Sequence, residues 1–246
     1  LTTAVLWGSR CYVIAWLTDY PHRAWRLGAF LVSARNGVVG SLLAPQKMEQ
    51  GLLHESVVGP LPIPIETQHF EDIDRLSAAE PQLDVGFVGA LYEPRKSILQ
   101  GLQDALRIEN IDFCIKGRLL TEGRLSDEQY WAELCSYKII LTTAVQVFER
   151  GMDVTTEPHL IYRYLEVFAC RRLLIAPIVF GTDYFLPGVH YVGYRCIEEV
   201  PHLVKAYLDN TQQLDKISLA GAARAEQLVR EGYFWDRLGL PNGAEH

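Results

Sequence analysis

The hydrophobic positions of this chain fall into short runs and helically spaced stripes that alternate over most of its length. Residues 11–17, CYVIAWL, form a near-continuous apolar run of strand length, the pattern of a strand covered on both faces. Ala29 to Ser33 predicts another short strand, while residues 37–58 are too weakly patterned to assign. The stretch Gly59 to Asp72, GPLPIPIETQHFED, alternates prolines with apolar residues. Proline removes backbone donors and fixes φ, so this stretch predicts an extended connection and a domain boundary. Beyond it the rhythm is strand and helix in turn. Val85 to Val88, Ile111 to Ile115 and Lys138 to Thr143 read as strands. Pro94 to Arg107 and Ser126 to Ser136 read as helices, the second opened by a capping box from Ser126 and Gln129. A loop of about fifteen residues follows, long enough to carry function or mobility. Next, PHLIYRYLEVFACRRLLIAP predicts a helix followed closely by a buried strand, LLIAP. A short strand at His190 to Val192 and helices at Val200–Leu208 and Gln212–Arg230 complete the pattern. Alternation of this kind predicts an α/β fold with a parallel, doubly wound sheet whose ligand edge lies at the carboxyl ends of the strands.

Several residues on that edge have chemistry to offer. In PHLIYRYLEVFAC, Ile161, Tyr164, Leu165 and Phe168 make an apolar stripe. At a helical turn of about 100° per residue, His159, Arg163 and Glu166 lie within about 60° of one another on the opposite face. An imidazole, a cation and a carboxylate near a helix start favour an anionic ligand, and the same spacing describes a solvated face. In GFVGALYEPRK, Gly89 ends a strand, Pro94 opens a helix and Arg95 and Lys96 stand at its start, a setting for a diphosphate or a tight turn with solvated cations. Lys116-Gly117-Arg118 ends the next strand, with Thr121 and Arg124 close behind, and reads either as part of the same edge or as a polar loop. Thr18, Asp19, Tyr20, Pro21 and His22 follow the first strand, where open α/β sheets place ligands and where turns also occur.

Composition narrows the classes. With 246 residues, 49% hydrophobic and 22% charged, the chain can bury a substantial core. A formal charge of −7 argues against a nucleic-acid partner. No apolar run reaches the roughly 20 residues that span a bilayer, so a soluble protein is expected. The five cysteines, Cys11, Cys114, Cys135, Cys170 and Cys196, are scattered and odd in number, as expected of reduced thiols in the cytoplasm. No signal peptide is visible, and the missing initiator methionine points to a piece of a longer chain. There is no P-loop, G-x-G-x-x-G, G-x-S-x-G or H-E-x-x-H sequence, and the histidines show no ligand spacing, so no metal is expected.

The order FVGALYEPR, KGRLLTEGRLSDEQYWAEL, SYKIILTT, PHLIYRYLEVFACRRLLIAP and HYVGY, with a helical tail ending in FWDRL, resembles the C-terminal domain of GT-B-fold glycosyltransferases over roughly residues 80–238. The branch it looks most like is the group-1-like transferases of spore-maturation-protein type, and WLTDYP and PLPIPIETQHF look like the end of the family's N-terminal domain and its linker. The resemblance implies residues 1–58 as a partial N-terminal, acceptor-side domain, 59–80 as linker and 81–246 as a nucleotide-sugar-binding domain. It implies a metal-independent, hexosyltransferase-like enzyme that needs no cofactor and moves a sugar from a nucleotide-diphosphate sugar to an acceptor. That acceptor could be a glycan, a lipid-linked glycan, a protein or a small molecule. Glu166, in LEVFAC, matches the glutamate that binds the nucleotide ribose, and Gly89, Tyr92, Arg95 and Arg118 match donor-lining positions. His159 and Arg163 would stand near the donor sugar and phosphates, and Asp19 or His22 would face the acceptor.

Three departures bear on activity. Pro158 stands where retaining relatives carry a first glutamate, Arg171 replaces the usual glycine after Ala-Cys, and only about 60 residues precede the linker, too few for a whole Rossmann-like half. The alternatives are a nucleotide-sugar-binding or interaction module without transfer activity and, less well supported, a sugar-nucleotide epimerase on the same fold.

Overall fold

The computed structural model describes residues 13–17, 37–41, 57–58, 65, 67–118, 125–143, 146–147, 154–155, 160–179 and 184–230. The VIAWL part of the first apolar run forms strand β1, Val13–Leu17, as the apolar pattern predicts. β1 pairs in parallel with β2, Gly37–Ser41, which pairs in parallel with β3, Val57–Val58. β2 lies in the stretch that carried no pattern: its sequence GVVGS has two glycines and only two apolar residues, and partners on both sides make it a strand. The strand expected at Ala29 to Ser33 lies outside the described residues.

The extended reading of Gly59 to Asp72 is corrected at its end by helix α1, Thr67–Ser77. The prolines stop before Ile65, and Phe70, Ile73 and Leu76 then recur every third residue, with Ile73 fully buried. The alternating region follows in order. β4, Leu83–Ala90, leads to α2, Arg95–Ile108, and β5, Phe113–Arg118, leads to α3, Asp127–Cys135. β6 is Tyr137–Leu141. The capping box is formed: Gln129 N donates to the Ser126 hydroxyl at 3.3 Å, and Ser126 N donates to Gln129 Oε1 at 3.2 Å. The long loop holds a short antiparallel ladder, β7 at Gln146–Val147 against β8 at Val154–Thr155.

Helix α4 spans Arg163–Ala169 and leads to β9, Leu173–Pro177, the LLIAP strand. β10 is Val192–Tyr194, two residues later than the spacing suggests. After a 3₁₀ turn at Ile197–Glu199 come α5, Val200–Leu208, and α6, Thr211–Arg230.

β4, β5, β6, β9 and β10 form one parallel sheet in the order β10-β9-β6-β4-β5. Successive residues of a strand face opposite sides, and two cores result. Ile139, Leu141, Leu173 and Ile175 pack with Leu99, Leu102 and Leu106 of α2 and Val200 and Val204 of α5. Val88, Ile140 and Leu174 pack with Trp131 and Leu134 of α3, Leu165 and Phe168 of α4, and Leu228 of α6. Helices therefore cover both faces, the doubly wound arrangement. The chain runs from β4 outward to β5 and then returns to the other side of β4 as β6. That reversal splits the connections above and below the sheet, and opens a crevice at the carboxyl ends of β4 and β6.

Two local features hold the crevice's supports. Arg172 is buried and donates to the carbonyls of Cys135 (3.0 Å), Ser77 (3.3 Å) and Ala79 (3.0 Å), tying the ends of α3 and α1 to the start of β9. Arg171, where the resemblance expects glycine, adopts the left-handed φ of 55° that glycine usually supplies. Arg171 N donates to Phe168 O at 2.9 Å and Arg172 N to Val167 O at 3.2 Å, which closes α4 in a Schellman motif. The departure in sequence thus leaves the backbone turn in place.

Candidate functional site

Helix α4 begins at Arg163; Leu160 and Ile161 ahead of it are not helical. The helical arithmetic that aligned His159 with Arg163 and Glu166 therefore has no helix under it at residues 160–161, and His159 itself lies outside the described residues. The picture of one apolar and one polar face is corrected too: Tyr164 to Ala169 are all buried, including Glu166 at 6% exposure. What remains of the strip is an intimate pair. Arg163 Nη1 lies 3.2 Å from Glu166 Oε2, with side-chain exposures of 15% and 8%. Burial opposes the Arg163 charge, but Glu166 and Tyr130 outweigh it and raise the guanidinium pKa above its ordinary value.

Tyr130, on α3, is the third member. Arg163 Nη1 donates a hydrogen bond to its hydroxyl, and the guanidinium lies over its ring, 5.3 Å from the centroid. Burial above all, with the Glu166 carboxylate, pushes the phenol pKa well up against the opposing pull of Arg163, so Tyr130 stays neutral.

A second arginine approaches from the sheet side. Arg95 opens α2, but its side chain turns back to the strand ends: Nε donates to Thr143 Oγ1 at 3.1 Å and Nη1 to the carbonyl of Ala90 at 3.2 Å. Its guanidinium stacks on Tyr92, 4.3 Å from the ring centroid, with Phe87 at 5.8 Å. Burial lowers its pKa, and the neighbouring Arg163 charge pulls the same way while Tyr92 opposes. Gly89 lies beside the first arginine: a Cβ there would stand 3.5 Å from Arg163 Nη2 and 3.2 Å from Phe87 Cζ. A side chain at this position would fill the gap between strand end and cation, so glycine keeps the backbone open to a ligand.

The floor is polar backbone. Thr142 and Thr143, just past β6, are buried, and Tyr194 of β10 donates to the carbonyl of Thr142 at 2.8 Å. Arg118 ends β5 with its Cα in register with Ala90, on the same carboxyl edge. Asp19 and His22 lie outside the described residues. The start of α2 differs from expectation: Pro94 is its N-cap residue, and Glu93 already accepts from Ser97 N at 3.4 Å and Ser97 Oγ at 2.6 Å. A carboxylate thus occupies part of that helix terminus, and Lys96 is exposed. An anion here would meet the Arg95 side chain more than the helix end.

The switch point therefore gathers Gly89, Tyr92, Arg95, Arg163 and Glu166, all named from sequence, and adds Tyr130, Thr143 and Tyr194. No local signal marked the added three, because their importance comes from strand order. Among the described residues no group of His, Cys, Asp and Glu is placed to hold a metal ion. Among them, also, no helix is long and apolar enough to cross a membrane. Cys114, Cys135, Cys170 and Cys196 are free thiols.

Solved structures share this architecture. The chain is similar to AviGT4, a glycosyltransferase involved in avilamycin A biosynthesis, with TM-score 0.55 and 12% identity over 97% of this chain and 78% of that one. It is similar to HepE from Anabaena in complex with UDP and glucose, with TM-score 0.53 and 13% identity over 94% and 72%. A glycosyltransferase from Rickettsia africae matches with TM-score 0.52 and 11% identity over 94% and 71%. The fold is thus that of GT-B glycosyltransferases. No curated protein matches the sequence. A family model described as glycosyl transferase-like matches residues 76–238, well over half of the chain, and the chain belongs to that glycosyl transferase-like family.

Proposed function

We propose that the protein transfers a sugar, in hexosyltransferase fashion, from a nucleotide-diphosphate sugar to a hydroxyl-bearing acceptor. The observation that carries this reading is the convergence of Arg95 and Arg163 with Glu166 at the crevice between β4 and β6. When the glycosidic bond breaks, negative charge develops on the departing diphosphate, and two pre-positioned guanidinium groups stabilise that charge more than the ground state. Arg118 adds to them from the end of β5, and Gly89 lets the backbone approach the phosphates. The carboxylate of Glu166 accepts from the ribose hydroxyls, the role its place in LEVFAC implies. His159 serves the donor sugar, and Asp19 or His22 the acceptor. The arginines take the part a metal ion plays elsewhere, so transfer proceeds without one. HepE was solved with UDP and glucose, which supports a uridine diphosphate sugar as the first donor to try. The motif order supports placing the chain in the spore-maturation-protein type, and the unpaired, free cysteines agree with a cytoplasmic setting.

Calorimetry with a panel of nucleoside diphosphates and sugar nucleotides, followed by assays for sugar transfer and donor hydrolysis, tests the reading. Saturable binding lost in Glu166→Ala supports it. Equal affinity and turnover in wild type and Glu166→Ala would remove its centre. Pro158, in place of the first glutamate of retaining relatives, favours the second reading of a binding module, which predicts donor affinity without transfer or hydrolysis.

A further inference from the structure

The guanidinium of Arg95 is held from two strand ends at once. Nε donates to Thr143 Oγ1 at 3.1 Å, just past β6, and Nη1 donates to the carbonyl of Ala90 at 3.2 Å, at the end of β4. One face lies on the Tyr92 ring, 4.3 Å from its centroid. Bonds from two different nitrogens of a rigid planar fork, with a ring against its face, fix both the place and the tilt of the plane. These holds differ in kind. Ala90 offers a main-chain carbonyl that any residue there would supply, whereas Thr143 offers a side-chain oxygen from 48 positions along the chain.

Thr143 is itself firmly seated, at 5% exposure. The residue before it is tied to the next two strands: Thr142 N donates to Ile175 O of β9 at 3.1 Å, and the Tyr194 hydroxyl of β10 donates to Thr142 O at 2.8 Å. Branching at Cβ limits χ1 of a threonine, so Oγ1 has a settled position to offer Arg95. An arginine loses much rotamer freedom when it is ordered, and the nearby Arg163 charge pushes this one away. Without a fixed acceptor at Thr143, the guanidinium gains by swinging towards water.

Resting on the sugar-nucleotide reading above, we infer that Thr143 is the positioning residue for Arg95: its hydroxyl holds the guanidinium across the crevice between β4 and β6 in the pose that meets a diphosphate. Part of the cost of ordering that long side chain is then met before the ligand arrives, which raises affinity without any contact between Thr143 and the ligand.

The test is calorimetric titration of the intact chain with inorganic pyrophosphate and with UDP, in wild type, Thr143→Val, Thr143→Ser, Arg95→Ala and the Thr143→Val, Arg95→Ala double variant, with thermal melts alongside. Valine keeps the shape of the side chain and removes the acceptor, while serine keeps the acceptor. Thr143→Val is expected to weaken both ligands about five- to tenfold, the scale of one side chain that must be ordered on binding. Thr143→Ser is expected to stay within about twofold of wild type, and in the Arg95→Ala background the valine change is expected to have no further effect. Where melts show that Thr143→Val folds poorly, Thr143→Ala serves in its place with the same expectation. Unchanged binding in Thr143→Val, beside a loss in Arg95→Ala, overturns this inference and leaves the sugar-nucleotide reading standing. A valine penalty undiminished in the double variant overturns it too, since the hydroxyl would then act elsewhere. Thr143→Ser as weak as Thr143→Val does the same, by showing that the oxygen is not what matters. Absence of binding by the wild type to pyrophosphate and to every nucleoside diphosphate overturns both.

Discussion

Arg163 and Glu166 stand one helical turn apart with nitrogen and oxygen at 3.2 Å, and both are largely withdrawn from water. In such a setting each charge depends on the other, because removing one partner leaves a buried ion without compensation. Arg95 stands close enough to Arg163 for the two positive charges to oppose each other. A ligand that brings negative charge would offset that repulsion.

Glu166→Ala is expected to destabilise the protein by about 3 kcal/mol, the scale of a broken buried pair, and to lower affinity for UDP at least tenfold. Thermal melts and calorimetry measure the two effects. Added inorganic pyrophosphate should recover part of the lost stability, since an anion again offsets Arg163 and Arg95. A variant that melts like the wild type would show that the two charges do not depend on each other.

Arg95→Lys is expected to behave nearly as badly as Arg95→Ala in diphosphate binding, each losing tenfold or more. Arg95 makes two directed donations and stacks flat on Tyr92, and an ammonium group cannot reproduce the planar fork. Titrations with pyrophosphate at two salt concentrations check this. Wild-type behaviour in the lysine variant would mean that only the charge matters.

Arg172→Met retains apolar bulk but strands three carbonyls, those of Cys135, Ser77 and Ala79. Unmet buried acceptors cost about 1–3 kcal/mol each before relaxation, so a loss of about 3 kcal/mol is expected in denaturant unfolding. Nucleotide affinity measured well below the new midpoint should stay within twofold, since this clamp lies at the other end of β6 and β9.

His190 makes part of the stability depend on pH. Leu186 N donates to its Nδ1 at 2.9 Å, which requires the neutral ring. Burial, helped by the Arg224 charge, lowers its pKa below the ordinary value of 6.5. The unfolded chain therefore binds the proton more readily. This contribution is fully present above about pH 6.5 and is lost as the pH falls through the lower folded value. Melts between pH 7.5 and 5 should show a decline that is shallower in His190→Gln. Parallel pH profiles in the two proteins would exclude the histidine as its source.

The expected elements were legible where local patterns act alone. The capping box at Ser126 and Gln129, the LLIAP strand and the long final helix need only neighbours within a few residues, and they form as spacing predicts. Arg163 and Glu166 were legible as a pair for the same reason, being one turn apart. Where elements begin and end was harder. β2 is glycine-rich and owes its extended form to strands on either side, and α4 begins only at Arg163, with Leu160 and Ile161 outside the helix.

By itself, then, the sequence determined the alternating α/β plan, the parallel sheet and the identity of the charged residues near the strand ends, because hydrophobic period and end signals are local properties of the chain. Only the tertiary structure decided which of those residues meet. The order β10-β9-β6-β4-β5 sets β4 beside β6, which puts Arg95 on Thr143, Gly89 beside Arg163, and Tyr130 beneath the Arg163–Glu166 pair. Those meetings join residues separated by 33 to 74 positions, depend on the direction of each crossover, and have no counterpart in local spacing.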